Sequence, residues 1–224
     1  MPADKIRNVA LLGHRGSGKT SINEALLFQA GAINRLGSVA DGTTVSDAAP
    51  DEKSREMSIS SSLASFNWQD RKINLIDTPG EPSFVADALA ALRVTEGAVF
   101  VVNAVMGVEV GTLRLWERAD ELGLARIIFV NMLDRERADF FRALESLKSS
   151  FGPHAVATEI PIGSEHEVRG VIDLVDMKAY EYSGEEKDNC KEVPIPDELQ
   201  AQAEEYREKL LDEVAENSDE LMER

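Results

Sequence analysis

The chain has 224 residues, of which 43% are hydrophobic and 29% are charged, a composition that suits one globular domain with a sizeable insertion. No apolar run approaches the roughly 18 residues that a membrane span needs, and the N-terminus lacks the apolar stretch of a signal peptide. Of the net charge of −17, −11 falls in residues 181–224, and this acidic balance argues against direct binding of a nucleic-acid backbone.

Short apolar runs alternate with stretches of helical spacing along the first two thirds of the chain. The runs at 8–13, 63–68, 73–76, 98–102 and 127–130 predict strands, and the spacing predicts helices at 20–29, 84–93, 113–122 and 138–148. Residues 31–61 are polar and turn-rich, and we expect a mobile loop there. The alternation predicts an α/β fold with a doubly wound, mainly parallel sheet, whose ligand lies beyond the carboxyl ends of the strands.

The pattern changes after Pro161. Residues 171–175 predict a further strand, and from about Asp197 a long helix is predicted, because apolar residues recur at spacings of three and four. The residues of this stripe are Leu199, Ala203, Tyr206, Leu210 and Val214. The chain stops at Arg224 with neither a glycine cap nor a proline behind the helix, which predicts a truncated domain.

The strongest motif is the segment GHRGSGKT at residues 13–20, which fits the phosphate-loop pattern G-x-x-x-x-G-K-[ST] at every fixed position. Glycines let the backbone approach phosphate closely, and the N–H groups of the loop and of the following helix attract the anion. Lys19 would neutralise the outer phosphates, and the Thr20 hydroxyl would bind Mg²⁺. The predicted phosphate-binding residues are Gly13, His14, Arg15, Gly16, Ser17, Gly18, Lys19, Thr20 and Ser21. By itself this loop does not separate ATP from GTP.

Two further segments are candidates for the magnesium shell. Asp77 opens the sequence DTPG after an apolar strand, so that its carboxylate would reach Mg²⁺ through water. Gly80 of the same segment would offer its backbone N–H to a γ-phosphate. Ser58, near the end of the expected loop, would complete the magnesium shell when the γ-phosphate orders that loop.

A guanine-binding motif follows the last apolar run of the first part. Asn131, Met132 and Asp134 belong to the sequence NMLD, and an ionised aspartate at this place accepts two hydrogen bonds from guanine N1–H and its exocyclic amine. Adenine offers no such pair of donors and leaves the carboxylate unpaired. Together with the phosphate loop and DTPG, this motif predicts guanine rather than adenine as the base.

These segments resemble elongation factor G and related translational GTPases. The matching stretches are GHRGSGKT at 13–20, the region 47–62, DTPGEPSF at 77–84, NMLDRERADFFR at 131–142, the PIG…GVIDLV…KAY segment at 161–180 and EYREKLLDEVAE…DELME at 205–223. The last two stretches match the insertion that elongation factor G carries inside its nucleotide domain. Tetracycline-resistance ribosomal protection proteins and the GTPase peptide-release factor are near relatives and stay open as alternatives.

The resemblance implies a domain organisation and a cellular setting. Residues 1–160 would form an incomplete P-loop GTP-binding domain, and residues 161–224 the start of the small α/β insertion. A serine-alanine loop that backs the guanine base, a final strand and helix, and further domains that enter the ribosome would follow. The implied cofactors are GTP or GDP and Mg²⁺. We expect a cytoplasmic monomer that reaches the ribosome as part of the full-length protein.

The family pattern has a histidine after DTPG, where this chain has Glu81. The resemblance implies that the histidine orients the attacking water, so position 81 is the candidate catalytic position, together with Lys19. A carboxylate beside a triphosphate adds charge repulsion and lacks the imidazole N–H, although a protonated Glu81 would be able to donate a hydrogen bond. Loss of such an orienting group costs on the order of 10²-fold in rate.

Three other positions depart from the family pattern. Met132 replaces a lysine whose stem packs over the base, which predicts weaker nucleotide binding with the guanine preference kept. Gly16 replaces an aspartate linked to a monovalent cation, and Arg15 either supplies the missing positive charge, as an arginine finger does, or is an exposed arginine at the loop tip. Ser58 replaces threonine and keeps the hydroxyl.

The four departures favour a GTP-binding relative of elongation factor G with reduced or absent hydrolysis. An active ribosome-dependent GTPase is the first alternative. The second is an interaction module that binds the ribosomal stalk protein through the acidic surface of the helix from about Asp197, which by resemblance faces the stalk. The residues of this surface are Glu204, Glu205, Glu208 and Glu216. A solvated acidic helix face remains the simpler interpretation of these glutamates.

Overall fold

The structure is a computed structural model, and it describes residues 2–182 and 190–216. Contacts between Cα atoms divide the chain into two compact units, Met1–Asn131 and Met132–Arg224. Each unit has its own sheet and helices, and the phosphate-loop motif lies in the first unit.

The first unit is built on a five-stranded sheet in the order β2-β3-β1-β4-β5. Its strands are β1 (Ile6–Leu12), β2 (Ser62–Trp68), β3 (Arg71–Asp77), β4 (Gly97–Asn103) and β5 (Ala125–Asn131). Strand β2 pairs with β3 in antiparallel fashion, and all other pairs are parallel. The predicted mainly parallel α/β sheet is therefore confirmed.

The register of the strands places the candidate site residues at one edge of this sheet. Leu11 of β1 lies opposite Asp77 at the end of β3, and Asn103 of β4 lies opposite Asn131 at the end of β5. Because parallel strands present their carboxyl ends on the same side, the phosphate loop after β1 and the DTPG segment after β3 begin beside each other.

Four helices accompany the sheet of the first unit: α1 (Lys19–Gln29), α2 (Pro50–Arg55), α3 (Val85–Ala91) and α4 (Val110–Glu121). The sequence does not predict α2, since residues 31–61 lack periodicity. The helix begins with Pro50, whose missing N–H is not needed at a first helical position. The Glu52 carboxylate accepts a hydrogen bond from the Ala49 N–H at 3.2 Å, and this local capping contact overrides the weak pattern.

The core of the first unit lies between the sheet and helices α3 and α4. Its buried side chains are Ala10, Leu12, Ala88, Ala91, Leu92, Ala98, Phe100, Leu115 and Ala119. Phe100 packs edge-on against Trp116 with ring centroids 5.0 Å apart, and the Arg126 guanidinium lies 4.4 Å from the Trp116 ring centroid. Burying a large side chain such as Phe100 contributes about 1.5–3 kcal/mol, so this layer fixes the strands that carry the site.

The second unit has an antiparallel sheet in the order β6-β7-β8-β9 and two helices. Its elements are α5 (Phe140–Phe151), β6 (Glu159–Ile162), β7 (Gly170–Asp173), β8 (Lys178–Tyr182), β9 (Cys190–Val193) and α6 (Asp197–Glu216). The sequence predicts α5, β7 and α6 and misses the other three strands, which are only four or five residues long. Asp139 caps α5 by accepting a hydrogen bond from the Arg142 N–H at 3.0 Å.

Helix α6 follows the predicted extent, and its apolar stripe is buried in part. Ala203 and Leu210 are buried, Tyr206 packs near Phe141 with ring centroids 5.4 Å apart, and Val214 is 46% exposed. Among the described residues there is no helix that is long and apolar enough to cross a membrane.

Candidate nucleotide-binding site

The phosphate loop joins β1 to α1, and its glycines have backbone conformations that other residues rarely adopt. Gly13 has φ 143°, and a Cβ atom there would lie 2.3 Å from the Val101 carbonyl oxygen. Gly16 and Gly18 have φ 77° and 93°. Ser17 is buried within the loop, whereas Ser21 is exposed on the first turn of α1. Only glycine fits at position 13, which explains the tight turn that the motif requires.

Lys19 is held inside this loop. Its side chain is 6% exposed, and Nζ donates hydrogen bonds to the carbonyl oxygens of Gly13 and His14, each at 3.0 Å. Burial lowers the pKa of the ammonium group to about 8, and the nearby charge of Asp77 opposes this shift. Phosphate oxygens next to Lys19 would raise its pKa again, so the buried ammonium is suited to an anionic ligand.

Three predicted magnesium residues meet beside the loop. Thr20 Oγ1 donates a hydrogen bond to Asp77 Oδ2 at 2.7 Å and lies 3.2 Å from Ser58 Oγ. Asp77 is 1% exposed, and burial raises the pKa of its carboxyl to about 6, while the Thr20 hydrogen bond opposes the shift. Within the described chain, the buried Oδ1 of Asp77 has no hydrogen-bond partner. A buried carboxylate oxygen of this kind is suited to a cation or its bound water.

Asp47 belongs to the same cluster, although the sequence assigns it no role. It is 4% exposed, and its Oδ2 is also buried without a partner among the residues described. Burial raises the pKa of this carboxyl, and a hydrogen bond with Ser58 lowers it. Asp47 lies in the stretch 47–62 that supports the family resemblance, and this was the available signal. Two buried carboxylates and two hydroxyls form the oxygen-rich donor set that Mg²⁺ prefers.

The segment that carries Ser58 is anchored by two buried glutamates. Glu24 of α1 accepts a hydrogen bond from the Val45 N–H at 2.5 Å, and Glu52 of α2 accepts one from the Ile59 N–H at 3.0 Å. A charged acceptor strengthens such bonds, and each carboxylate binds more than one backbone N–H of the segment. The bonds made by Glu52 fix the backbone directly after Ser58 and thereby help to hold its hydroxyl beside Thr20.

The DTPG segment lies directly against the phosphate loop. The Thr78 hydroxyl donates to the Leu11 carbonyl oxygen at 2.6 Å, and the Arg15 N–H donates to the Gly80 carbonyl oxygen at 3.0 Å. A Cβ atom at Gly80 would lie 2.4 Å from Lys19 Nζ, so glycine is required for this close approach. Glu81, which follows, has its Oε2 3.5 Å from Arg15 Nη1.

His14 points to the start of α4. Its Nε2 lies 3.0 Å from the Oε2 of Glu109, the residue that precedes α4. Nδ1 of His14 is buried, and it has no hydrogen-bond partner in the part of the chain that the structure describes. The imidazole therefore links the phosphate loop to α4.

The residues of the NMLD motif fall in both units. Asn131 ends β5, and its side-chain amide donates a hydrogen bond to the Ser17 carbonyl oxygen at 2.8 Å, which supports the phosphate loop from one side. Met132 and Asp134 belong to the second unit. Met132 has a left-handed backbone with φ 62°, and Asp134 is exposed. The predicted contact of Asn131, Met132 and Asp134 with guanine stays a prediction.

A glycine loop between a parallel strand and a helix, with a buried lysine and an adjoining carboxylate–hydroxyl cluster, defines a P-loop nucleotide-binding fold. The family described as the elongation factor Tu GTP binding domain matches residues 4–220. The chain belongs to this family of translational GTPase domains.

A solved structure of a protein from Thermus thermophilus supports this assignment. It is 35% identical to this chain over 98% of the chain, with a TM-score of 0.91. The match covers 32% of that protein, so this chain spans about a third of its length. The predicted resemblance to the nucleotide-binding domain of a translational GTPase is confirmed.

Proposed function

We propose that this chain is the Mg²⁺-dependent GTP/GDP-binding domain of an elongation factor G-like translation factor, with slow or absent hydrolysis. The observation that carries the proposal is the cluster beside the phosphate loop, in which Thr20 Oγ1 contacts both Asp77 and Ser58 at hydrogen-bond distance. Phosphate-binding and magnesium-binding groups thus adjoin within one unit.

Each residue of the site has a proposed role. Lys19 and the backbone N–H groups of residues 13–20 bind the phosphates. Thr20 and Ser58 bind Mg²⁺ with their hydroxyls, and Asp77 holds it through water, with Asp47 as an additional carboxylate. A bound Mg²⁺ would neutralise negative charge on the outer phosphates. Gly80, next to the ammonium of Lys19, offers its N–H to the γ-phosphate.

Slow hydrolysis is proposed because of Glu81. This carboxylate occupies the position at which the family has a water-orienting histidine, and it cannot donate a hydrogen bond while ionised. It also repels a γ-phosphate. The expected loss is on the order of 10²-fold in rate relative to a histidine at this position. If the full-length protein turned over GTP rapidly with ribosomes, the alternative of an active ribosome-dependent GTPase would replace this proposal.

Guanine selectivity is proposed to reside in Asp134, with Asn131 and Met132 beside it. Calorimetric titration of the chain with GDP, GTP and ADP in excess Mg²⁺ tests this assignment. Saturable binding of GDP and GTP but not ADP, abolished by Asp134→Ala, is the expected result. Asp176→Ala, which removes an exposed carboxylate from the same unit, is the matched control and should bind as the unmodified chain does. Equal binding of ADP and GDP would contradict a guanine-specific site.

The proposed cellular partners are the ribosome and its stalk protein, in the cytoplasm. Four glutamates of α6 that form the predicted acidic surface are exposed, namely Glu204, Glu205, Glu208 and Glu216. An acidic helix face attracts a basic partner surface by charge complementarity. Changing Glu204 and Glu208 to lysine should weaken binding of the isolated stalk protein at low salt. An affinity that does not change would leave α6 as a solvated helix.

A further inference from the structure

Two departures from the family pattern are in contact. Arg15 of the phosphate loop and Glu81 of the segment after DTPG are 66 positions apart in the chain, and Arg15 Nη1 lies 3.5 Å from Glu81 Oε2. The backbones meet as well, because the Arg15 N–H donates to the Gly80 carbonyl oxygen at 3.0 Å. Each departure taken alone suggests an exposed arginine and a misplaced carboxylate, whereas the contact suggests that they belong together.

The surroundings place this pair at the phosphate-binding end of the site. A Cβ atom on Gly80, the neighbour of Glu81, would lie 2.4 Å from Lys19 Nζ. The Glu81 backbone is held by its carbonyl oxygen, which accepts a hydrogen bond from the Phe84 N–H at 2.9 Å. The side chains of Arg15 and Glu81 are 53% and 30% exposed, so solvent screens the pair in part.

We propose that Arg15 and Glu81 act as one specificity-determining pair, in which Arg15 positions and neutralises the Glu81 carboxylate so that the site accepts a third phosphate. This inference rests on the proposed nucleotide-binding function and adds to it. The pair sets the preference between guanosine triphosphate and diphosphate, because the γ-phosphate brings additional negative charge toward Glu81. The charge of Arg15 acts on the nucleotide through Glu81 rather than by direct contact.

This arrangement makes a prediction that differs from that of an arginine that binds phosphate directly. Without Arg15, the carboxylate of Glu81 is unpaired and weakens GTP binding more than GDP binding. Once Glu81 is also neutral, Arg15 has nothing to compensate, and its removal changes little. A direct arginine–phosphate contact would instead be lost equally whether position 81 carries a carboxylate or an amide.

The test is a double-mutant cycle on the full chain with Arg15→Ala, Glu81→Gln and both changes together. Affinities for GDP and for a non-hydrolysable GTP analogue are measured by calorimetry in excess Mg²⁺. Arg15→Ala should lower the ratio of triphosphate to diphosphate affinity about two- to fivefold, the range of a partly exposed ion pair. In the Glu81→Gln background, the same change should alter the ratio less than about 1.5-fold. The alanine keeps the backbone N–H that binds Gly80.

The matched control is a second ion pair of the same unit, between Lys5 and Asp70, which lies on exposed side chains. Its own cycle, with Lys5→Ala and Asp70→Asn, should leave the affinity ratio unchanged. Equal effects of Arg15→Ala in both backgrounds, or no effect in either, would overturn the pairing while leaving nucleotide binding in place. If the unmodified chain bound no GDP at all, the proposed function and the pairing would both be wrong.

Discussion

Asp77 combines deep burial, a negative charge and an unpartnered oxygen, so the site should destabilise the nucleotide-free domain. Burial raises the pKa of this carboxyl from 3.8 to about 6, and this difference corresponds to about 3 kcal/mol of unfolding free energy. Since the folded state holds its proton more tightly than the unfolded state, the free energy of unfolding falls as pH rises. Below pH 3.8 the cost is absent, and above about 6 it is complete.

Asp77→Asn removes this dependence on pH. Between pH 4.5 and 8, the contribution of Asp77 to the free energy of unfolding should fall by about 2 kcal/mol in the unmodified chain and should not change in the variant. Urea denaturation followed by circular dichroism, with a chelator and without nucleotide, measures both curves. Asp41→Asn, at an exposed position of the same unit, is the control and should keep the pH dependence of the unmodified chain. Parallel curves for the unmodified chain and Asp77→Asn would refute the reasoning.

Three further substitutions probe how the loops and helices are held. Gly13→Ala brings a Cβ to 2.3 Å from the Val101 carbonyl oxygen, and we expect a loss of about 1–3 kcal/mol in urea denaturation; unchanged stability would mean that the loop rearranges easily. Asn131→Ala removes the hydrogen bond to the Ser17 carbonyl oxygen, which should cost about 1 kcal/mol and weaken GDP binding in calorimetry, an outcome that intact affinity would contradict. Asp139→Ala removes the cap of α5 and should cost about 1 kcal/mol of thermal stability, while Asp139→Asn, which keeps an acceptor, should stay near the original value.

Local signals were sufficient to predict the framework of the first unit. The run at 8–13 and the helical spacing from residue 20 correspond to β1 and α1, and the phosphate-loop pattern places Lys19 and Thr20 between them. These predictions succeed because the hydrophobic period and the glycines act over a few neighbouring residues. The meeting of Thr20, Ser58 and Asp77 needed the spacing of three separate motifs.

What the sequence did not reveal depends on contacts between distant segments. Helix α2 is short, and the Glu52 in its first turn also binds backbone N–H groups several residues further along the chain. Asp47 has no motif of its own, and it becomes part of the site only because the chain folds back over α1. The contact between Arg15 and Glu81 is of the same kind, since no local pattern links residues 66 positions apart.

The two glutamates that anchor the segment before β2 act almost entirely on peptide groups. Glu24 and Glu52 bind N–H groups, which every residue except proline possesses, so they place few demands on the side chains of the residues they hold. The loop can therefore vary in composition while keeping its path, provided that these two carboxylates remain and proline is avoided at the bound positions. In this design, the surface that the loop shows to a partner can be altered independently of the position in which Ser58 is held.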